Sequence, residues 1–162
     1  MSSTLKQFLY DIQNKSDKSN KDILRVKDLD QRRNLLNLRI IVLLDCSGSI
    51  SSDDFRKFRL QLDKIKGMSR IRVIEMDTDV VSMFDYDKAI KPKIVKLGGG
   101  GGTDFESAIK TALQCKPQAL VFLTDGQDSG NLSKPPIPSA VVLKAKPGNT
   151  WYPWAEVCGY IK

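Results

Sequence analysis

Apolar positions along the chain follow two different periods. Residues 40–44 (IIVLL) form an unbroken run of β-branched and leucine residues closed by Asp45, and a run without alternation is how a strand covered on both faces of a parallel sheet reads. Residues 119–125 (ALVFLTD) repeat that design, closing on an aspartate followed by glycine. Residues 139–143 (SAVVL) read as a further buried strand, and 71–76 (IRVIEM) as another. Asp77-Thr78-Asp79 turns the latter into 80–86, expected as an antiparallel neighbour. Residues 91–97 read as a further short extended piece and 157–161 as a last apolar one.

The other period is helical. Leu5, Phe8, Leu9 and Ile12 stand at i, i+3, i+4 and i+7, which predicts a short amphipathic helix over 2–13 with Ser2, Ser3 or Thr4 as its N-cap. Over 51–66, Phe55, Phe58, Leu62 and Ile65 share one face, Ser52, Asp53 and Asp54 supply the cap and an acidic first turn, and Gly67 ends the helix. Over 103–115, Phe105, Ala108, Ile109, Ala112 and Leu113 share a face, and Thr103 and Glu106 have capping-box spacing. Residues 14–22 contain nothing apolar and read as a mobile linker, 23–37 as a charged, partly helical approach. Gly98–Gly102 favour neither helix nor strand and predict a loop whose backbone passes close to something. Residues 126–138 are a second loop. The order of elements predicts an α/β fold: a three-layer sandwich around a mostly parallel central sheet with an antiparallel edge strand. Residues 1–37 are expected to form an N-terminal amphipathic helix and charged linker, and 38–162 the α/β domain.

Composition narrows the chemistry. The 162 residues suffice for one domain with a genuine core, and no apolar run approaches the ~18 residues that span a bilayer. The first residues have neither an uninterrupted apolar core nor a small-residue cleavage site, so a cytoplasmic location is expected. Cys46, Cys115 and Cys158 are odd in number and widely spaced, fitting reduced thiols rather than a disulfide framework or a zinc cluster. The chain has no histidine, which removes HExxH peptidase chemistry, histidine-based triads and most zinc or iron sites. Any metal must then be held by oxygen. The net charge of +7 comes from Lys and Arg scattered among Asp and Glu, and reads mainly as a solvated basic surface.

Candidate chemistry gathers at strand ends. A strand buried on both faces places an ionisable Asp45 at its C-terminal tip, where open α/β sheets put their ligand sites. Ser47 and Ser49 follow at spacing two around Gly48, so Asp45, Ser47 and Ser49 can direct three oxygens at one hard divalent cation. The alternative is a plain strand-to-helix connection in which Ser49, Ser51 or Ser52 caps the next helix. Thr103 from the glycine loop and Asp125 from the TDG turn would reach the same edge.

The set D-x-S-x-S (Asp45, Ser47, Ser49), Thr103 and Asp125 resembles the metal-ion-dependent adhesion site of von Willebrand factor type A domains, over residues 38–162. The GGGGGTDF run, the TDG turn and the PWAEV segment are more particularly similar to the von Willebrand A-like C-terminal domain of bacterial and phage predicted-metallopeptidase proteins. Their zinc-binding HExxH region has no counterpart in a chain without histidine, so proteolysis is not carried over. The resemblance implies a Rossmann-like fold and a cation, Mg2+ or else Mn2+ or Ca2+, held directly by Ser47 and Ser49. Thr103, Asp45 and Asp125 would bind it directly or through water. It also implies an open coordination position for a carboxylate of a partner protein, with AAA+ ATPases as a candidate partner class. Two carboxylates and hydroxyls leave residual positive charge on such an ion, which favours that bridge.

Asp77 and Asp79 read either as an auxiliary, second layer of the metal site or as a turn-forming pair. Asp104 is better placed as a helix-dipole partner than as a ligand, and Trp151, Tyr152 and Trp154 are expected to cover a core edge. The leading expectation is a non-enzymatic, metal-dependent protein-interaction module. Its rivals are a degenerate von Willebrand A fold that keeps the residues but binds metal only weakly, a nucleic-acid-binding domain using the basic surface, a nucleotide binder using the glycine run, and a phosphatase of the haloacid dehalogenase type. The last rests on Asp77-Thr78-Asp79-Val80-Val81, but Asp125-Gly126-Gln127-Asp128 has the wrong spacing for its acid pair.

Overall fold

The computed structural model describes residues 2–18, 38–46, 50–65, 70–77, 79–86, 105–126, 133–144, 152, 154–155 and 157–161. Their elements run α1 (Ser2–Lys18), β1 (Arg39–Asp45), α2 (Ser52–Ile65), β2 (Arg70–Met76), β3 (Val80–Asp85), α3 (Phe105–Gln114), β4 (Ala119–Thr124), β5 (Ser139–Leu143) and β6 (Val157–Tyr160). The six strands form one sheet in the order β3-β2-β1-β4-β5-β6. Every pairing is parallel except β2 with β3, which is the expected antiparallel edge.

The unbroken apolar runs are explained by what covers them. Along β1, Ile40, Val42 and Leu44 point to one face and Ile41 and Leu43 to the other, because side chains alternate along a strand. The first face packs against α1 and α2 through Leu5, Phe8, Leu9, Ile12, Phe55, Phe58, Leu62 and Ile65. The second packs against Phe105, Ala108 and Ala112 of α3. Tyr152 and Trp154 join that second face, with Trp154 edge-on to Phe122 at 6.1 Å, so these two cover a core edge as anticipated, while Trp151 lies outside the described residues. The result is an α/β sandwich of three layers: α1 and α2, the sheet, then α3.

The structure departs from three expectations. α1 continues to Lys18, so residues 14–18 are helical rather than linker. Lack of apolar residues removes burial but not helical bonding, and a helix already anchored by buried side chains propagates at little cost. The cap of α2 is Ser51 rather than Ser52: its Oγ accepts from Asp54 N (3.2 Å), while the Asp54 carboxylate accepts from Ser51 N (2.9 Å) and Oγ (2.8 Å). Spacing of three lets the acid reach back to the cap's own N–H, which Asp53 cannot do. In α3, Ile109 and Leu113 are only partly buried, because this helix leans on β1 and β2 through its Phe105, Ala108 and Ala112 edge. The expected pieces at 23–37, 91–97 and 98–102 lie outside the described residues.

Candidate functional site

The chain steps from β1 out to β2 and β3, then returns to the other side of β1 to lay down β4. β1 and β4 are therefore the neighbours at which the winding reverses, and the crevice beyond their C-terminal ends is where open α/β sheets bind ligands. β1 ends in Asp45 and β4 in Thr124. The register pairs Leu44 with Leu123, which brings the next residues, Asp45 and Thr124, side by side. Thr124 Oγ1 donates to Asp45 Oδ2 at 2.7 Å and accepts from Gly126 N at 3.2 Å. Both Asp45 and Thr124 have 0% exposure, whereas Asp125 is half-buried at the lip. Gly126 sits at φ 82°, a left-handed turn that glycine reaches without a Cβ clash.

Alternation sends Asp45 toward the α3 side of the sheet and Cys46 toward the α2 side. Cys46 N donates to Met76 O at 2.7 Å, holding the start of the loop against β2. Its thiol is pushed up to about 12, first by burial and then by Glu75, with Asp45 and Asp77 adding to it. The negative field of this strand edge is thus felt at the thiol, which stays protonated and non-nucleophilic at neutral pH.

Asp77 and Asp79 form a turn. Asp79 N donates to Asp77 Oδ1 (3.1 Å), Asp77 N to Asp79 O (3.1 Å), and Val80 N to Asp79 Oδ1 (2.8 Å). Ser107 of α3 also donates to Asp79 Oδ1, at 2.9 Å, so the carboxylate ties the β2–β3 turn to the first turns of α3. The Val80 N–H, then the Ser107 hydroxyl, hold the Asp79 carboxyl below its ordinary range. Of the predicted ligands, Asp45 closes β1 and Asp125 directly follows the neighbouring β4. Ser47, Ser49 and Thr103, with Asp104, lie outside the described residues.

Two groups escape the sequence pattern. Thr124 stands inside the TDG turn, yet a hydroxyl closing a fully apolar strand needs a partner. Glu75, an acid inside IRVIEM, is 1% exposed. Ser82 Oγ donates to its Oε2 at 3.0 Å, and its Oε1 has no partner among the described residues. Burial raises its pKa, with the Ser82 bond opposing.

A hard cation suits the donors at the switch point, since the two strand ends offer carboxylate oxygen and the soft Cys46 sulfur is turned to the other face. Among the described residues no group of three or more His, Cys, Asp or Glu is arranged to hold a metal, so hydroxyl donors from the neighbouring loops would have to complete such a site. The VWA-like domain (DUF2201) family model matches residues 40–160, from β1 through β6. The chain belongs to the VWA-like domain family. A further relative of this VWA-like domain is an uncharacterized protein of Thermotoga maritima, 31% identical over 91 residues, which is 54% of this chain. The match spans 23% of that protein's length. No helix among the described residues of the domain is long and apolar enough to cross a membrane.

Proposed function

We propose that this VWA-like domain is a non-enzymatic protein-interaction module that works through a divalent cation. Asp45, Ser47, Ser49, Thr103 and Asp125 would hold the ion, Mg2+ or the similarly coordinated Mn2+ or Ca2+. An acidic side chain of a partner protein would take the remaining position. The bound ion would offset the charge of the two carboxylates and offer an open coordination position to a third. The protein's own part is to present oxygen donors in fixed places and keep competing soft ligands away.

The observation that supports this reading is the fully buried Asp45 at the switch point, hydrogen-bonded to the end of β4 immediately before Asp125. A buried carboxylate is costly unless its charge is used or balanced. Asp77 and Asp79 would shape the β2–β3 turn, with Asp79 also tied to Ser107, and an auxiliary place beside the ion is the alternative role for them. The likeness to domains that follow a peptidase region belongs to the same proposal, as does the choice of AAA+ ATPases as the partner class to test first.

The experiment is calorimetric titration of metal-stripped protein with Mg2+ and Mn2+, beside Asp45→Asn, Ser47→Ala and Asp125→Asn, at several salt concentrations. The reading expects saturable binding in the parent and its loss in the variants. Absence of binding in the parent, or unchanged binding in all variants, overturns it. Steeply salt-dependent capture of nucleic acid in their place would shift the function to the basic surface.

A further inference from the structure

A hydroxyl at the end of an otherwise apolar, fully buried strand has to be accounted for, because valine would fill the same space without a desolvation cost. Thr124 is that hydroxyl: its neighbours along β4, from Ala119 to Leu123, are all apolar and all buried. It is 0% exposed, so it meets neither solvent nor a partner protein. Its single proton goes to Asp45 Oδ2 at 2.7 Å, across the β1–β4 junction. Its oxygen in turn receives the N–H of Gly126 at 3.2 Å. Thr124 precedes Asp125 and Gly126 follows it, so one hydroxyl joins the Asp45 carboxylate to the backbone on the far side of Asp125.

We infer that Thr124 is the positioning residue of the cation site, orienting the Asp45 carboxylate and locking the turn that presents Asp125 to it. The inference rests on the cation reading proposed above and adds to it a residue that touches no ion itself. Groups that orient metal-binding carboxylates by hydrogen bonds tune affinity although they stand outside the coordination shell. The bond acts on both carboxylate-bearing strand ends at once, so its loss would loosen two donors rather than one.

The test uses the full chain and Mn2+ alone as probe, following the free-ion paramagnetic resonance signal during titration of parent, Thr124→Val and Thr124→Ser, with urea unfolding of each in EDTA. Thr124→Val is expected to weaken Mn2+ binding by about 10–100-fold, the range for such supporting bonds. Thr124→Ser keeps the hydroxyl and should restore most of the affinity. Should the valine variant not fold, Thr124→Cys, similar in size but a poor donor, takes its place with the same expected weakening. Parental affinity in the variant that lacks the hydroxyl, or equal weakening in the serine variant, overturns the assignment and leaves Thr124 a purely structural bond. A parent that takes up no Mn2+ overturns the cation reading as well, an outcome recognised from the parent titration alone.

Discussion

Asp45→Asn should make the protein more stable without metal and less responsive to it. Asparagine keeps the shape and still offers an oxygen to the Thr124 hydroxyl, now 2.7 Å from Asp45 Oδ2. Exchanging a charged acceptor for a neutral one gives up about 1 kcal/mol in that bond, the difference between charge-assisted and ordinary bonds. Against that stands the removal of a charge with 0% exposure, whose burial costs several kcal/mol even after relaxation. The net expectation in EDTA is a gain of about 1–3 kcal/mol, read in urea at a slope of about 2 kcal/mol/M as a midpoint higher by roughly 0.5–1.5 M. With Mg2+ at about 100 times its Kd, the parent should gain about 2.7 kcal/mol and the variant almost nothing. The variant's lead in EDTA would then shrink by about 2.7 kcal/mol in Mg2+, enough to reverse the rank wherever that lead is smaller than this. A variant less stable than the parent in EDTA by more than about 1 kcal/mol, or one whose midpoint rises with Mg2+ as the parent's does, would refute the view that Asp45 is kept charged for a cation.

Four other substitutions probe the framework and its charges. Leu9→Ala, in a side chain of α1 with 0% exposure, should cost about 2–5 kcal/mol in urea unfolding; a loss below about 1 kcal/mol would mean that α1 is not an integral layer. Phe122→Ala removes the ring that meets Phe105 at 5.3 Å and Trp154 at 6.1 Å and should cost about 3–5 kcal/mol, with loss of near-ultraviolet circular dichroism from the tryptophan as the second readout. Ser51→Ala deletes the cap of α2 and should cost about 1 kcal/mol by thermal or urea unfolding; no change would show that Asp54 alone satisfies that end. Glu75→Gln addresses pH: burial raises the folded-state pKa, so the folded protein holds a proton that the unfolded chain has lost, and stability falls as pH rises from the ordinary glutamate value of about 4.3 upward. In EDTA the glutamine variant should show a flatter decline of the urea midpoint across that window, and a slope equal to the parent's would contradict the assignment.

Much of the fold could be read from the chain because burial leaves a local signature. Ile40–Leu44 do not alternate since both faces of β1 are covered, while Phe55, Phe58, Leu62 and Ile65 recur at helical spacing since only one side of α2 is. Asp45 and Asp125 could be marked as strand-end carboxylates for the same reason: each interrupts an apolar run where the chain leaves the sheet. The extent of α1 beyond residue 13 could not, because backbone bonding continues where the apolar pattern stops.

Local pattern tells which way a side chain faces but not which strand lies beside it. The order β3-β2-β1-β4-β5-β6 was decided by long-range packing, and with it the switch point that sets Asp45 next to Thr124, 79 positions apart in the chain. The same packing placed Glu75 inside the core opposite Ser82 and bound Asp79 to Ser107 of α3. The amino-acid sequence by itself determined the elements, their buried faces and the residue types available at the strand ends. Only the tertiary structure decided which of those ends meet, because a hydrogen bond across a parallel sheet depends on strand order and register, and both are settled by the packing of the whole chain.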